Sequence, residues 1–404
     1  MTAGGPKGKR KEAALMKYRV LALLLAALLS LSACGGQKAP SSGSIEAPPA
    51  PSVSPSSQSQ PEPEPAPEPE IDNSWGFDAP ENHRMDPEVL DHLHQILPGT
   101  TVSSMVTVRD GVIVDEYYKE GYDETSAFPV HSCSKSITSA LVGIAIQQGY
   151  IGGVDDLLSD YLPQVAQLEG SKKELTLRHL LTHTSGLEWR EWTGPTNWME
   201  FQTAENWVDY ILGRQQVAQP GAVFNYSTGN THLLAAALEA AVGKSLLEYG
   251  QENLFAPMGI ETLTWGTDPQ GVTDGGNGVR ISSRDAARFG QLYLQKGSWK
   301  GEQLVPESWV EESTTPQNGG YGDSAGSYGY QWWIRPYTQG AYGSYPPPYG
   351  PAQYDTYMAF GAWGQFIIVV PQLELVTVIT SQGPQGGFVP RPYFTDYILA
   401  ACME

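Results

Sequence analysis

Ser132 and Lys135 frame the segment Ser132-Cys133-Ser134-Lys135, where an extended stretch gives way to an apolar run over 137–146. On a helix, residues three apart share a face, with Cβ atoms about 5–6 Å apart. A hydroxyl in the first turn also lies in the field of unpaired backbone N–H groups, which lowers the cost of an alkoxide. A serine beside an amine is therefore a candidate nucleophile and base for acyl transfer. The same spacing also describes an ordinary helix start with a serine cap. Tyr226 is a second candidate base. It stands in Phe224-Asn225-Tyr226-Ser227-Thr228-Gly229-Asn230, a turn that leads into the apolar helix pattern at 233–238. Phenol and lysine titrate at about 10 and 10.4 in water, so each needs its neighbours to shift it before it serves as a base at neutral pH. Within reach of one serine, an ammonium favours phenolate and desolvation favours neutral lysine. Taken alone, a loop tyrosine is more commonly a packed aromatic.

These residues need elements to hold them. Residues 102–108 and 112–118, joined by Arg109-Asp110-Gly111, read as a hairpin. Residues 355–360, 365–370 and 373–380 are strand-like, with a Pro371-Gln372 turn before the last and a final helix over 392–401. Helical patterns fill the middle at 135–148, 175–182, 204–213, 230–242, 246–255 and 283–296. That order predicts an α+β fold: an antiparallel sheet built from both termini, flanked by helices, with a mainly helical lobe inserted between its strands. The Tyr- and Gly-rich stretch 319–350 has weak periodicity and reads as long loops near the cleft, its aromatics serving packing first.

Ser132-x-x-Lys135, then Tyr226-Ser-Thr, then Ala362-Trp363-Gly364-Gln365 on a late strand resemble the three active-site elements of the serine beta-lactamase-like superfamily. That superfamily includes class C beta-lactamases, DD-peptidases, family VIII-type esterases and nylon-oligomer hydrolases. The stretches 155–163, 175–187 and 278–292 resemble further family segments, so the likeness spans roughly 85–402. The resemblance implies an acyl-enzyme on Ser132 and proton transfer shared by Lys135 and Tyr226. It further implies an oxyanion hole from the backbone N–H of Ser132 and of Gln365 or Gly364, with Thr228, Ala362, Trp363 and Gly364 facing substrate. His179 and His183 tempt a reader seeking a Ser–His pair, but in this family that stretch is structural. Asp156 reads as a turn or cap residue.

Two departures from the family pattern bear on substrate. Thr228 replaces an asparagine and lacks the amide's reach and two donors. Ala362 stands where lactamases and peptidases carry Lys and esterases often carry His, so the charge or donor for a substrate carboxylate is missing. This favours a serine hydrolase of carboxylic esters or amides, on the esterase and nylon-oligomer-hydrolase side; the Arg284-centred segment and 328–333 also resemble that side. A peptidoglycan DD-peptidase or beta-lactamase is one alternative, and a catalytically idle module binding cell-wall peptide is another. No cofactor is implied, and no Cys/His cluster has metal-ligand spacing; Cys133 and Cys402 are not expected to form a structural disulfide.

The ends of the chain describe its address. Six basic residues precede or flank a short apolar core at 20–29, the charge order of a secretory leader. Met16 offers a second start for that leader. Leu31-Ser32-Ala33-Cys34-Gly35 resembles a bacterial lipoprotein box, which implies cleavage after residue 33 and lipidation of Cys34. Residues 34–75, rich in Pro, Ser and Glu, read as an extended hydrated spacer, leaving 76–404 as the folded hydrolase domain. About 330 residues suffice for a large core around one cleft. The whole chain carries −20, and the basic leader makes the remainder more acidic still. That field excludes nucleic acid as a partner; the expected partners are a small ester, amide or peptide-like substrate and a membrane reached through the anchor. The expected location is the outer face of the bacterial cell membrane. Cys34→Ser is expected to release the protein to the soluble fraction or leave the leader unprocessed. A correctly cleaved variant that stays on the membrane would refute the anchor.

Overall fold

The computed structural model describes residues 75–191, 197–348, 351–383 and 390–403. All belong to one compact unit, Pro69–Glu404. The expected leader, Cys34 and the expected spacer up to residue 74 lie outside the described residues.

Helix α1 (Pro87–Ile96) starts where the Asp86 carboxylate accepts the Glu88 N–H at 2.9 Å and Pro87 supplies a preset φ. Strands β1 (Val102–Arg109) and β2 (Val112–Tyr118) form the expected hairpin around Asp110 and Gly111, both at positive φ. Then come α2 (Ser134–Gln147), α3 (Thr228–Val242) and α4 (Ser283–Leu294). Serine caps open the last two: Ser227 Oγ accepts from Asn230 N–H and Ser282 Oγ from Asp285 N–H, each at 3.2 Å. The chain returns through β3 (Asn318–Gly322), β4 (Gly326–Tyr328), β5 (Trp333–Thr338), β6 (Gln353–Gly361), β7 (Gln365–Val370) and β8 (Leu375–Ser381). A last helical segment, α5, covers 391–401, with a wider π turn at Phe394–Ile398.

The strands make one antiparallel sheet in the order β2-β1-β8-β7-β6-β5-β4-β3. Both termini contribute, as expected: β1 from the N-terminal side pairs with β8 in the register Met105↔Ile379 and Val106↔Val378. Alternation along the strands assigns each side chain to a face. Val106, Ile367, Val369, Val376 and Val378 pack with Ala286, Phe289 and Leu292 of α4, in the core that continues into the helical lobe. Met105, Ile368, Val370 and Ile379 face the other way, onto Leu90 and Leu93 of α1 and Phe394 and Ile398 of α5. With helices on both faces, β1, β7 and β8 are buried along their whole length.

Two expectations are corrected. The first half of 319–350 is not loop: β3, β4 and β5 extend the sheet there. Gly320 and Gly326 adopt φ of 53° and 105°, and a Cβ at either would strike the backbone of the neighbouring strand. Glycine thus lets these strands pair closely while interrupting the alternation that marks strands in a sequence. The second concerns Ala362-Trp363-Gly364, expected on a strand. They form the hairpin turn between β6 and β7, with Trp363 at φ 64° and Gly364 at φ 87°.

Helix α2 carries Lys135, just after the turn that holds Ser132, and is locked in place by contact rather than by amphipathic exposure. Twelve of its residues are buried, and Gly143 lies against the Trp309 ring so closely that a Cβ would overlap it. Gly143→Ala is expected to destabilise the domain by about 1–3 kcal/mol despite alanine's better helix propensity. Denaturant unfolding checks this; stability equal to wild type would contradict the packing described.

Candidate active site

The chain enters α2 through a single 3-10 turn, His131–Cys133, with His131 at φ 47°. Ser134 Oγ secures the turn, donating to His131 O at 2.6 Å and accepting from Val279 N–H at 3.1 Å. Ser132 thereby stands at the helix entrance with Lys135 one turn on. Lys135 is 1% exposed. Its Nζ donates to Ser132 Oγ at 2.9 Å, Thr228 Oγ1 at 3.0 Å and Gly276 O at 2.6 Å. Those three bonds use every donor an ammonium has. Burial lowers its pKa to about 8, against the opposing pull of Glu191 and Asp274.

Tyr226 joins the pair. Its ring lies 5.1 Å from Lys135 Nζ and its hydroxyl hydrogen-bonds Ser132. It packs on Trp333 at 5.5 Å and on His183 at 4.7 Å between ring centroids. Burial first, then the charge of Glu191, pushes its pKa well above the ordinary phenol value, and the Ser132 bond only partly opposes this. The expected help from ammonium toward phenolate is thus outweighed. Lys135 is the group poised near neutrality, and Tyr226 keeps its proton.

Thr228 is in the cluster, 1% exposed, bonded to Lys135 on one side and to Glu191 on the other. Ala362 and Trp363 reach the same cleft, a cavity of about 220 Å³ around Ser132 whose other walls include His131, Glu191, Trp198 and Asn277. Among the described lining residues there is no Lys or Arg, and Glu191 is an acid. Gly364 closes the hairpin turn, where a Cβ would meet Pro390 and Ser381. Gln365 is buried, its amide bridging both backbone groups of Ser381 and its carbonyl accepting from Cys133 Sγ at 3.6 Å. The residue of β6 packed directly on Ser132 is Gly361, where a Cβ would overlap Val130 O and lie 3.2 Å from Ser132 N. Only glycine lets the strand run this close.

The histidines behave as scaffold. His179 caps its helix, with Nδ1 accepting from Thr176 N–H at 3.1 Å. His183 is fully buried beneath Tyr226, with both ring nitrogens unpartnered among the described residues and a pKa pulled well below its ordinary value by burial. Asp156 accepts from Gly152 N–H and Tyr161 OH, as a turn residue does.

Sequence reasoning missed Glu191, Gly276 and Gly361. A backbone carbonyl leaves no residue-type signal, and an acid in Glu188-Trp189-Arg190-Glu191 has no spacing that ties it to Ser132. Among the described residues, no group of side chains is arranged to hold a metal ion.

A profile of the beta-lactamase family matches residues 93–399. The chain belongs to that family, within the serine beta-lactamase-like superfamily, and is a serine hydrolase. It is 25% identical over 275 residues to a 6-aminohexanoate-dimer hydrolase of Paenarthrobacter ureafaciens, covering 60% of this chain and 67% of the relative. It is 30% identical over 147 residues to the Escherichia coli K12 D-alanyl-D-alanine-carboxypeptidase/endopeptidase AmpH, covering 36% of this chain and 38% of the relative. The solved structure of a putative 6-aminohexanoate-dimer hydrolase from Bacillus anthracis shares the fold, with a TM-score of 0.63 at 24% identity over 81% of this chain and 86% of that one.

Proposed function

We propose that the chain hydrolyses carboxylic esters or amides through an acyl-enzyme on Ser132, with Lys135 and Tyr226 moving the protons. The observation that carries this reading is the 2.9 Å contact between Ser132 Oγ and a buried Lys135 Nζ whose pKa falls to about 8. In its neutral form Lys135 takes the Ser132 proton as Oγ attacks the carbonyl carbon. Tyr226 gives its proton to the leaving oxygen or nitrogen and recovers one from Lys135. Water then attacks the acyl carbon by the reverse route and Ser132 is restored. Negative charge on the carbonyl oxygen is met by the Ser132 N–H and a second backbone N–H, that of Gln365 or Gly364; one such donor is worth about 3 kcal/mol of barrier.

Substrate preference follows from the walls. Ala362 brings neither cation nor imidazole, and the acid in the cleft repels a substrate carboxylate, which supports neutral or amine-bearing acyl groups over penicillins. The match to a 6-aminohexanoate-dimer hydrolase supports amides within that range. The match to a carboxypeptidase keeps a DD-peptidase as the second reading. The lipid anchor at Cys34 belongs to the same proposal, placing the domain outside the cytoplasm.

Ser132→Ala is expected to abolish covalent labelling by a fluorophosphonate while changing stability little. An adduct mapped to Ser185 or Ser282 would refute the nucleophile. Short p-nitrophenyl esters are expected to turn over with far higher kcat/KM than benzylpenicillin. Ala362→Lys is expected to improve carboxylate-bearing substrates, since a well-placed charge-assisted bond is worth about 1.5–3 kcal/mol, or roughly ten- to a hundredfold. Efficient penicillin turnover by wild type would overturn the specificity and favour the second reading.

A further inference from the structure

We propose that Glu191 is a positioning residue for Lys135, acting through the Thr228 hydroxyl: its carboxylate sets the direction of that O–H and so holds Lys135 as donor toward Ser132. This rests on the acyl-enzyme reading above and adds a residue to it.

The hydrogen-bond directions carry the argument. Glu191 Oε1 accepts from Thr228 Oγ1 at 2.5 Å, and Oε2 accepts from Thr228 N–H at 3.0 Å and Trp189 Nε1 at 2.5 Å. Three donors converge on it and the group donates nothing, which is the bonding of a carboxylate. A threonine hydroxyl has one proton. Because that proton goes to Glu191, the oxygen faces Lys135 only through its lone pairs and accepts from Nζ at 3.0 Å. The chain Lys135–Thr228–Glu191 therefore runs one way, and it favours the ammonium.

A glutamine at 191 reverses it. Trp189 Nε1 and Thr228 N–H still need an acceptor, so the amide oxygen stays on their side and the NH2 turns to Thr228 Oγ1. The hydroxyl then accepts from the amide, and its own proton points at Lys135 Nζ, which receives it only as a neutral amine. Loss of the Glu191 charge acts in the same direction, since Glu191 raises the pKa of Lys135. Other groups face Lys135 as well. Asp274 has the same sign as Glu191 and remains in the variant. His131 and His183 are depressed below the ordinary histidine range, and Tyr226 and Cys133 are raised above theirs by burial. Near pH 8 Lys135 is thus the member of the cluster that changes charge.

The test measures the second-order rate of fluorophosphonate labelling of the full chain from pH 5 to 10. Wild type is expected to gain reactivity with a midpoint near 8, as Lys135 loses its proton. Glu191→Gln is expected to move that midpoint down by about one pH unit or more, the effect of removing an opposite charge at close range. Thr228→Val, which lacks the hydroxyl, is expected to move it the same way, whereas Thr228→Ser keeps the wild-type midpoint. A merely structural Glu191 would lower the rate at every pH and leave the midpoint in place, and that result overturns the proposal. Should Glu191→Gln fail to fold, an unmoved midpoint in Thr228→Val overturns it equally. Wild type that resists labelling at all pH values overturns the acyl-enzyme reading and this inference together. A wild type that titrates near 8 with variants that match it overturns this inference alone.

Discussion

Taking an ammonium out of water costs several kcal/mol unless its donors and its charge are both answered nearby. Lys135 is such a group, and much of the domain is arranged around it. Helix α2 delivers it from one side, α3 brings Thr228 to its second donor, and the loop before residue 279 turns the Gly276 carbonyl to its third. Asp274 and Glu191 supply opposite charge. The answer is incomplete, since burial still outweighs the acids and leaves a lysine that loses its proton within reach of neutral pH. Incomplete compensation is useful here: a fully satisfied ammonium would be an inert structural ion, and a solvated one would stay protonated.

The serine beside it depends on geometry that the sheet provides. Strand β6 runs along the 130–132 segment because position 361 has no side chain, and β7 returns after a turn of two positive-φ residues. Beneath Ser132, Tyr226 is wedged among Trp333, Tyr328 and His183. Strands β4 and β5 thus contribute to the site directly, forming the aromatic floor on which the phenol ring rests. His183 contributes as a ring, without using either nitrogen on a described partner.

Much of this was legible in the sequence. Short apolar and β-branched runs marked β1, β2, β6, β7 and β8, because strands covered on both faces are apolar along most of their length. The helical patterns at 230–242 and 283–296 lay within two residues of the observed starts of α3 and α4. Ser132, Lys135 and Tyr226 were singled out because the segments that hold them resemble the family's active-site elements, and the structure brings the three side chains together. What escaped was carried by backbone or by long-range contact. The glycine-interrupted strands β3 and β4 have no clean period, Gly276 acts through its carbonyl, and Gly361 acts by absence. Glu191 reaches Thr228 across 37 positions of chain, and no local pattern encodes that approach.

The central claim is that Lys135 is a buried amine poised near neutrality. Its 13Cε resonance, assigned by its disappearance in Lys135→Arg, can be followed through a pH titration of the intact chain. The structure predicts a midpoint of about 8. A midpoint at or above the ordinary lysine value of about 10.4 would contradict the account.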